Sequence, residues 1–306
     1  MGIKTCLIAA MAAWAMGASA YPSSSHQERD VIGDLVTEIT ELLESESQFG
    51  APPNNFSCTS THNPVVLMHG LGSDNNTDLQ VFAKELVGRG YCTFTITYGA
   101  NPVAPVIGGL TDMQQSAKQL ADFIFEVQDQ TGASKIDLIG HSEGAVQSLF
   151  VPLTQSGIAP IVEHIVALAP SVHGAPYYGL SDLAYIGGNT TRELIGDLID
   201  LIGCPACEQL APGGSTINTF NAATGHIAQA GNKVTIISSS SDTLVPTNDT
   251  IVDEPTVNNV LVQTSCPDDT VGHGSLVYDP SVWNLILQAL EESDDEFYPC
   301  AIWPPI

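Results

Sequence analysis

The chain has 306 residues, 43% of them hydrophobic and 14% charged, and its 34 Asp and Glu against 8 Lys and Arg give a formal net charge of −26. A hydrophobic fraction of that size excludes a disordered or collagen-like chain, and the length suits one large domain or two small ones. Binding nucleic acid takes Lys and Arg that this chain lacks, so nucleic acid is excluded as a partner, and an anionic membrane surface is disfavoured for the same reason.

Residues 1–20 carry the three parts of a secretory signal: Lys4 as the positive start, an apolar run from Cys6 to Met16 too short to span a bilayer, and Ala18-Ser19-Ala20 as a small-residue cleavage site. Tyr21 to Gln27 is Ser-rich. From Glu28 to Glu44 an acidic segment places Val31, Leu35, Ile39 and Leu42 at helical spacing, before a turn-rich link at Pro52, Pro53 and Asn54. Residues 21–57 are thus an N-terminal extension, read either as a pro-segment or as a helix packed on the domain that follows.

From there strand-like and helix-like segments alternate. Strands are predicted at Pro64 to Met68, Tyr91 to Tyr98, Ile136 to Ile139 and His164 to Leu168. Helices are predicted at Asp78 to Arg89, Thr111 to Gln130 and Gly144 to Thr154. After an interruption come strands at Lys233 to Ser238 and Asn259 to Gln263, and a helix at Val282 to Leu290. Short β-branched runs joined by amphipathic helices predict an α/β domain over residues 58–306, a mostly parallel sheet of about six strands covered on both faces. Ligands of such sheets bind beyond the carboxyl ends of the strands.

At one strand end stands Gly140-His141-Ser142-Glu143-Gly144. A G-x-S-x-G match is expected by chance in roughly one such chain in five, so its position between a strand and a helix carries the weight. A tight strand-to-helix turn needs small residues on either side of the serine, and it lifts the hydroxyl to the positive end of the helix. A serine is a poor nucleophile until an imidazole accepts its proton, and the imidazole needs a carboxylate to fix its tautomer. In the chain order Ser, acid, His, Asp242 follows the run Val234 to Ser241, and His273 is the one histidine beyond it. Asp249 and Asp253 are the fallback acids. Taken singly, Asp242 reads as a turn aspartate and His273 as a loop histidine; their placement relative to Ser142 favours the catalytic reading. The expected oxyanion donors are the backbone N–H groups of Glu143 and of Leu71 in His69-Gly70-Leu71-Gly72. Glu143 as the acid of a glycosidase pair is the weaker reading, because no second carboxylate has a comparable strand-end position.

Of the seven cysteines, Cys6 belongs to the signal, leaving Cys58, Cys92, Cys204, Cys207, Cys266 and Cys300, an even set that fits an oxidising compartment. Six cysteines allow fifteen pairings. The pairing Cys58 with Cys92, Cys204 with Cys207 and Cys266 with Cys300 is favoured because each joins segments that the alternating fold brings together. A redox or zinc role for Cys204-Pro205-Ala206-Cys207 is the minor alternative. Asn55, Asn75, Asn189 and Asn248 lie in N-x-[ST] sequons, permissive for glycosylation in a eukaryotic cell.

Taken together, Val65 to Gly72, Gly140 to Gly144, Leu168-Ala169-Pro170 and the late Asp242 and His273 resemble the secreted α/β-hydrolases of the class 2 lipase type found in actinomycetes and fungi. The resemblance runs from about Cys58 to Leu290. It implies a carboxylic ester hydrolase with Ser142, Asp242 and His273 as its triad, and a sheet without the first antiparallel strands of the full fold. Two features depart from the family: the acid's strand runs into four serines, and the N-terminal acidic helix has no counterpart.

Residues 171–232 suspend the sheet pattern as a cap or lid insertion. In it Arg192 to Ile202 sets Leu194, Ile195, Leu198, Ile199, Leu201 and Ile202 against Glu193, Gly196, Asp197 and Asp200. That is either a mobile lid making transient contact with a lipid interface or a helix buried permanently. The expectation is a secreted, monomeric serine lipase or esterase that cleaves uncharged acyl esters such as acylglycerols and needs no cofactor or metal. An acyltransferase or a polyester or sterol ester hydrolase using the same triad is the catalytic alternative. A silent hydrolase fold used for recognition is the non-enzymatic one.

Overall fold

The structure is a computed structural model, described here for Thr37, residues 54–175 and residues 202–303. Six strands form one sheet: β1 Val65–Met68, β2 Thr93–Thr95, β3 Ile136–His141, β4 Val162–Leu168, β5 Lys233–Ser238 and β6 Val257–Leu261. Their order is β2-β1-β3-β4-β5-β6, and every neighbouring pair is parallel. Parallel strands must be joined by crossovers, and the crossovers lay helices on both faces.

Alternation along the strands divides the core. Val66, Met68, Leu138, Ile165 and Ile236 point to one face, where α2 (Met113–Thr131) and α3 (Glu143–Thr154) cover them with Ala117, Leu120, Val146 and Leu149. Val65, Leu67, Ile139, Val166 and Ile237 point to the other, under α1 (Gln80–Gly88) and the last helix. Strands apolar on both sides are what such burial requires. The start of α2 is fixed by Asp112, whose carboxylate accepts from the Gln114 and Gln115 amides, and its end by Gly132 at φ 67°.

Two short helices, α4 (Pro205–Leu210) and α5 (Ser215–Ala222), lie in the expected insertion. Ala206, Cys207, Leu210 and Phe220 are buried in the core shared with α2 and α3, and the Phe220 ring meets Phe150 edge-on at 5.8 Å. Gln209 anchors α4 by accepting from the Met113 amide at 2.7 Å and donating to Asp112 at 2.6 Å. This part of the insertion is fixed to the body. Of the expected Arg192 to Ile202 helix, all but Ile202 lies outside the described residues, as do residues 1–36 and 38–53. The last helix, α6 (Pro280–Glu291), is capped by Asp279 on the Ser281 amide.

Two predicted strands have other bounds at both ends: β2 covers only Thr93–Thr95 of the expected Tyr91 to Tyr98, and β6 is displaced. β6 begins and ends two residues early, and Val262, buried fully, starts a helical turn through Ser265. Asn259 sits within the strand because its side chain both accepts from and donates to the Val252 backbone, which satisfies an edge position that reads as polar. β5 spans the expected Lys233–Ser238, and the serines that follow form a loop. Disulfides join Cys58 to Cys92, Cys204 to Cys207 and Cys266 to Cys300. Asn55 and Asn248 are exposed and Asn75 is half-buried, while Asn189 lies outside the described residues. Among the described residues no helix is long and apolar enough to cross a membrane.

Candidate active site

Ser142 follows β3 directly and precedes α3, with φ 56° and ψ −118°. A non-glycine residue with positive φ is strained, and such strain persists where the surroundings impose it. Here the flanking glycines leave room for it. A Cβ on Gly140 would overlap the Gly144 carbonyl, and a Cβ on Gly144 would overlap the carbonyl oxygens of Met68 and His69 on the neighbouring strand end. Only hydrogen at both positions lets α3 start this close to β1 and β3.

Segments after β3, β5 and β6 converge on the serine. The Ser142 hydroxyl lies 2.9 Å from His273 Nε2, and His273 Nδ1 lies 2.7 Å from Asp242 Oδ2. Asp242 Oδ1 in turn accepts from the Leu244 and Val245 amides, each at 2.9 Å. With a carboxylate on Nδ1, that nitrogen carries the proton, and Nε2 is left to accept from the hydroxyl. Burial by itself would raise the Asp242 pKa; the His273 ring and the two amides outweigh it and hold the group below its ordinary value. The fallback acids Asp249 and Asp253 are not partners of His273 in the described hydrogen bonds.

The loop after β1 runs alongside. A Cβ on Gly70 would stand 3.3 Å from the Ser142 Cβ, so this backbone touches the serine. The loop is braced by Gly72 donating to the Gly108 carbonyl at 3.0 Å and Gly108 donating to the Ser73 carbonyl at 2.7 Å. Among the described hydrogen bonds the Leu71 and Glu143 amides donate to no protein acceptor.

Several polar contacts here were not read from the sequence. The Glu143 side chain is buried and bonded to the Tyr98 hydroxyl and to Gln147 Nε2 at 3.2 Å. Tyr98 also reaches the His69 carbonyl at 2.6 Å, and its ring stacks on His69 at 4.3 Å. A hydroxyl has one proton to give, so two acceptors require one of them to bring its own. Glu143 does: burial, against the hydrogen bonds of Tyr98 and Gln147, pushes its pKa up to about 8. The neutral acid donates to Tyr98, and Tyr98 donates to the carbonyl that opens the loop. His69 stays neutral in the same pocket, its pKa lowered by burial, with Nε2 accepting from the Tyr98 amide at 3.3 Å and Nδ1 donating to the Gly70 carbonyl at 2.8 Å. His141 pairs with Asp78 and with the His273 carbonyl.

The serines after β5 tie two loops together. The Ser239 hydroxyl donates to the Val271 carbonyl at 2.6 Å and accepts from the Ser241 amide and from Gln263 Nε2. Gln263 Oε1 accepts from the Ser240 amide at 2.9 Å. The segment holding Asp242 is therefore fastened to the segment holding His273, a use for polar residues that a strand reading of the serine run overlooks.

Residues 62–284 match the family model described as Lipase (class 2). A triacylglycerol lipase of Pseudomonas fragi is 28% identical over 131 residues, 42% of this chain and 41% of that protein, so the match spans less than half of that curated relative. Among solved structures, Aspergillus fumigatus lipase B superposes with a TM-score of 0.60 at 18% identity, over 84% of this chain and 58% of its own. The mature form of Bacillus licheniformis lipase BlEst2 superposes at 0.54 and 18% identity, over 79% of this chain and 96% of its own. At these identities the structural likenesses speak for the α/β-hydrolase fold, while the family match covers most of the chain. The chain belongs to the class 2 lipase family.

Proposed function

We propose that this chain is a serine carboxylic ester hydrolase, a lipase or esterase that acts on uncharged acyl esters such as acylglycerols through an acyl-enzyme. The observation that carries the reading is the hydrogen-bonded series Asp242, His273, Ser142, ending on a serine held at positive φ at the start of α3. Ser142 Oγ attacks the ester carbonyl carbon while its proton passes to His273 Nε2. The carbonyl electron pair moves onto oxygen, and the Leu71 and Glu143 amides stabilise that oxyanion. As the carbonyl re-forms, the alkoxide leaves and takes the proton from His273. Water then attacks the acyl-enzyme, with His273 again accepting the proton, and the acid is released with Ser142 restored. Asp242 keeps His273 in the tautomer these transfers need and stabilises the imidazolium. The steps call for no metal or organic cofactor.

Acylglycerol substrates are favoured by family membership and by the Pseudomonas fragi relative, a triacylglycerol lipase. Export is favoured by the signal-like residues 1–20 and by three disulfides, which persist in oxidising compartments. The test is Ser142→Ala, shown folded by circular dichroism and assayed on p-nitrophenyl esters of increasing chain length, below and above their solubility. Loss of nearly all activity supports the reading, and wild-type rates refute it. A sharp rise in the wild-type rate at the solubility limit marks a lipase, and smooth saturation with short chains marks an esterase.

A further inference from the structure

Asp78 and His141 form a second buried His–Asp pair beside the candidate active site. Asp78 stands just before α1, at φ 49°, and His141 ends β3 immediately before Ser142. The Asp78 side chain is 0% exposed and that of His141 5%. His141 Nδ1 lies 2.9 Å from Asp78 Oδ1, and His141 Nε2 lies 3.0 Å from the His273 carbonyl oxygen. The other Asp78 oxygen accepts from the Gly70 amide. The His141 and His273 rings stand 4.9 Å apart, tilted by 40°.

Proton counting decides the charge state. A carbonyl oxygen only accepts, so Nε2 of His141 must carry a hydrogen. Between Nδ1 and Oδ1 one more proton is shared. Asp78 accepts from the Gly70 amide as well, and a carboxylate serves two donors better than an acid does. Burial would raise the Asp78 pKa, but the His141 ring, with the Gly70 amide, brings it below the ordinary value. For His141 burial acts downward, and the Asp78 charge and hydrogen bond with the His273 carbonyl outweigh it, so its pKa is raised.

We propose that Asp78 and His141 are positioning residues, an imidazolium–carboxylate pair that clasps the Gly70 amide at one end and the His273 carbonyl at the other, so that the oxyanion loop and the base are held in one frame. The proposal rests on the ester-hydrolase reading of the site. It explains why a buried ion pair, costly to desolvate, stands beneath the two loops that must keep register with Ser142. Charge-assisted bonds are roughly twice as strong as neutral ones, and a displacement of about 1 Å at a reacting centre can cost about a hundredfold in rate. The pair acts through His273 and the loop amide, so its loss should lower kcat and leave KM nearly unchanged.

Asp78→Asn is the discriminating variant. It keeps the shape and permits the same three hydrogen bonds, but only with a neutral His141. The experiment combines nitrogen-15 NMR of the histidine rings with steady-state kinetics on a soluble p-nitrophenyl ester. The proposal expects two protonated ring nitrogens on His141 in the wild type at neutral pH and one in Asp78→Asn. It expects kcat about tenfold lower in Asp78→Asn, and about a hundredfold lower in His141→Phe, with KM within about twofold. His141→Phe leaves a buried carboxylate without its counter-charge, and if it does not fold, Asp78→Asn alone decides. A singly protonated wild-type His141, or an unchanged kcat in Asp78→Asn, overturns the proposal. Ser142→Ala separates the two layers. If it is inactive while Asp78→Asn is fully active, the positioning role alone fails; if Ser142→Ala retains activity, the ester-hydrolase reading fails first.

Discussion

Glu143→Gln removes a titrating proton from the site without removing a hydrogen bond. A glutamine at this position can donate to the Tyr98 hydroxyl and accept from Gln147, as the neutral acid does. The wild-type carboxyl titrates near 4.5 when solvated and at about 8 in the fold. Between those values the unfolded chain has lost the proton and the native chain keeps it. Native stability contributed by this group is therefore intact below about pH 4.5, falls as pH rises, and is fully lost above about pH 8. At about 1.4 kcal/mol per pH unit, the shift amounts to about 3–5 kcal/mol. The assay is urea unfolding of both proteins from pH 5 to 9. Their stabilities should agree at pH 5, and the variant should become more stable by several kcal/mol at pH 9. Parallel curves would refute the neutral Glu143 and the chain of donors from Glu143 through Tyr98 to the His69 carbonyl.

Two further outcomes follow from the geometry. Gly144→Ala forces a methyl group into the Met68 and His69 carbonyls, so a folded variant should be destabilised by about 1–3 kcal/mol and slowed about a hundredfold, checked by thermal unfolding and ester kinetics. Replacing Cys58 and Cys92 by serine opens a crosslink with a sequence separation of 34 and should cost about 4 kcal/mol in urea unfolding, with kcat per folded molecule retained because the bridge ties the start of the domain to β2, away from the serine.

The strands were readable because a parallel sheet buried on both faces draws short, mostly apolar runs, and Val65 to Met68 supplies one, as does Ile136 to Ile139 apart from Asp137. The convergence of Ser142, Asp242 and His273 was readable because Ser142 and Asp242 follow strands in the order such sheets use, and His273 is the one histidine beyond Asp242. The Asp78–His141 pair was not. Its members lie 63 residues apart, and His141 occupies a position where the elbow motif accepts any residue. Glu143 was expected from the sequence as a backbone donor, with its side chain read at most as the acid of a glycosidase pair, and only its burial against Tyr98 points to the pKa pushed up to about 8. The linking role of the serines after β5 was not readable for a related reason: alternation and β-propensity register strands, and a hydroxyl that links two loops leaves no periodic trace. The edge strand was displaced because Val257 and Asn258 pair with Val234 and Thr235 of β5, while the buried Val262 already begins a helical turn.

Ser142 as the nucleophile of an ester hydrolase is tested most directly by a fluorophosphonate. The native protein, treated to stoichiometric inhibition and digested for mass spectrometry, should carry one adduct, on Ser142, with residual hydrolysis falling in proportion to labelling. Full labelling of Ser142 with hydrolysis undiminished, or loss of hydrolysis with the adduct on another residue, would contradict it.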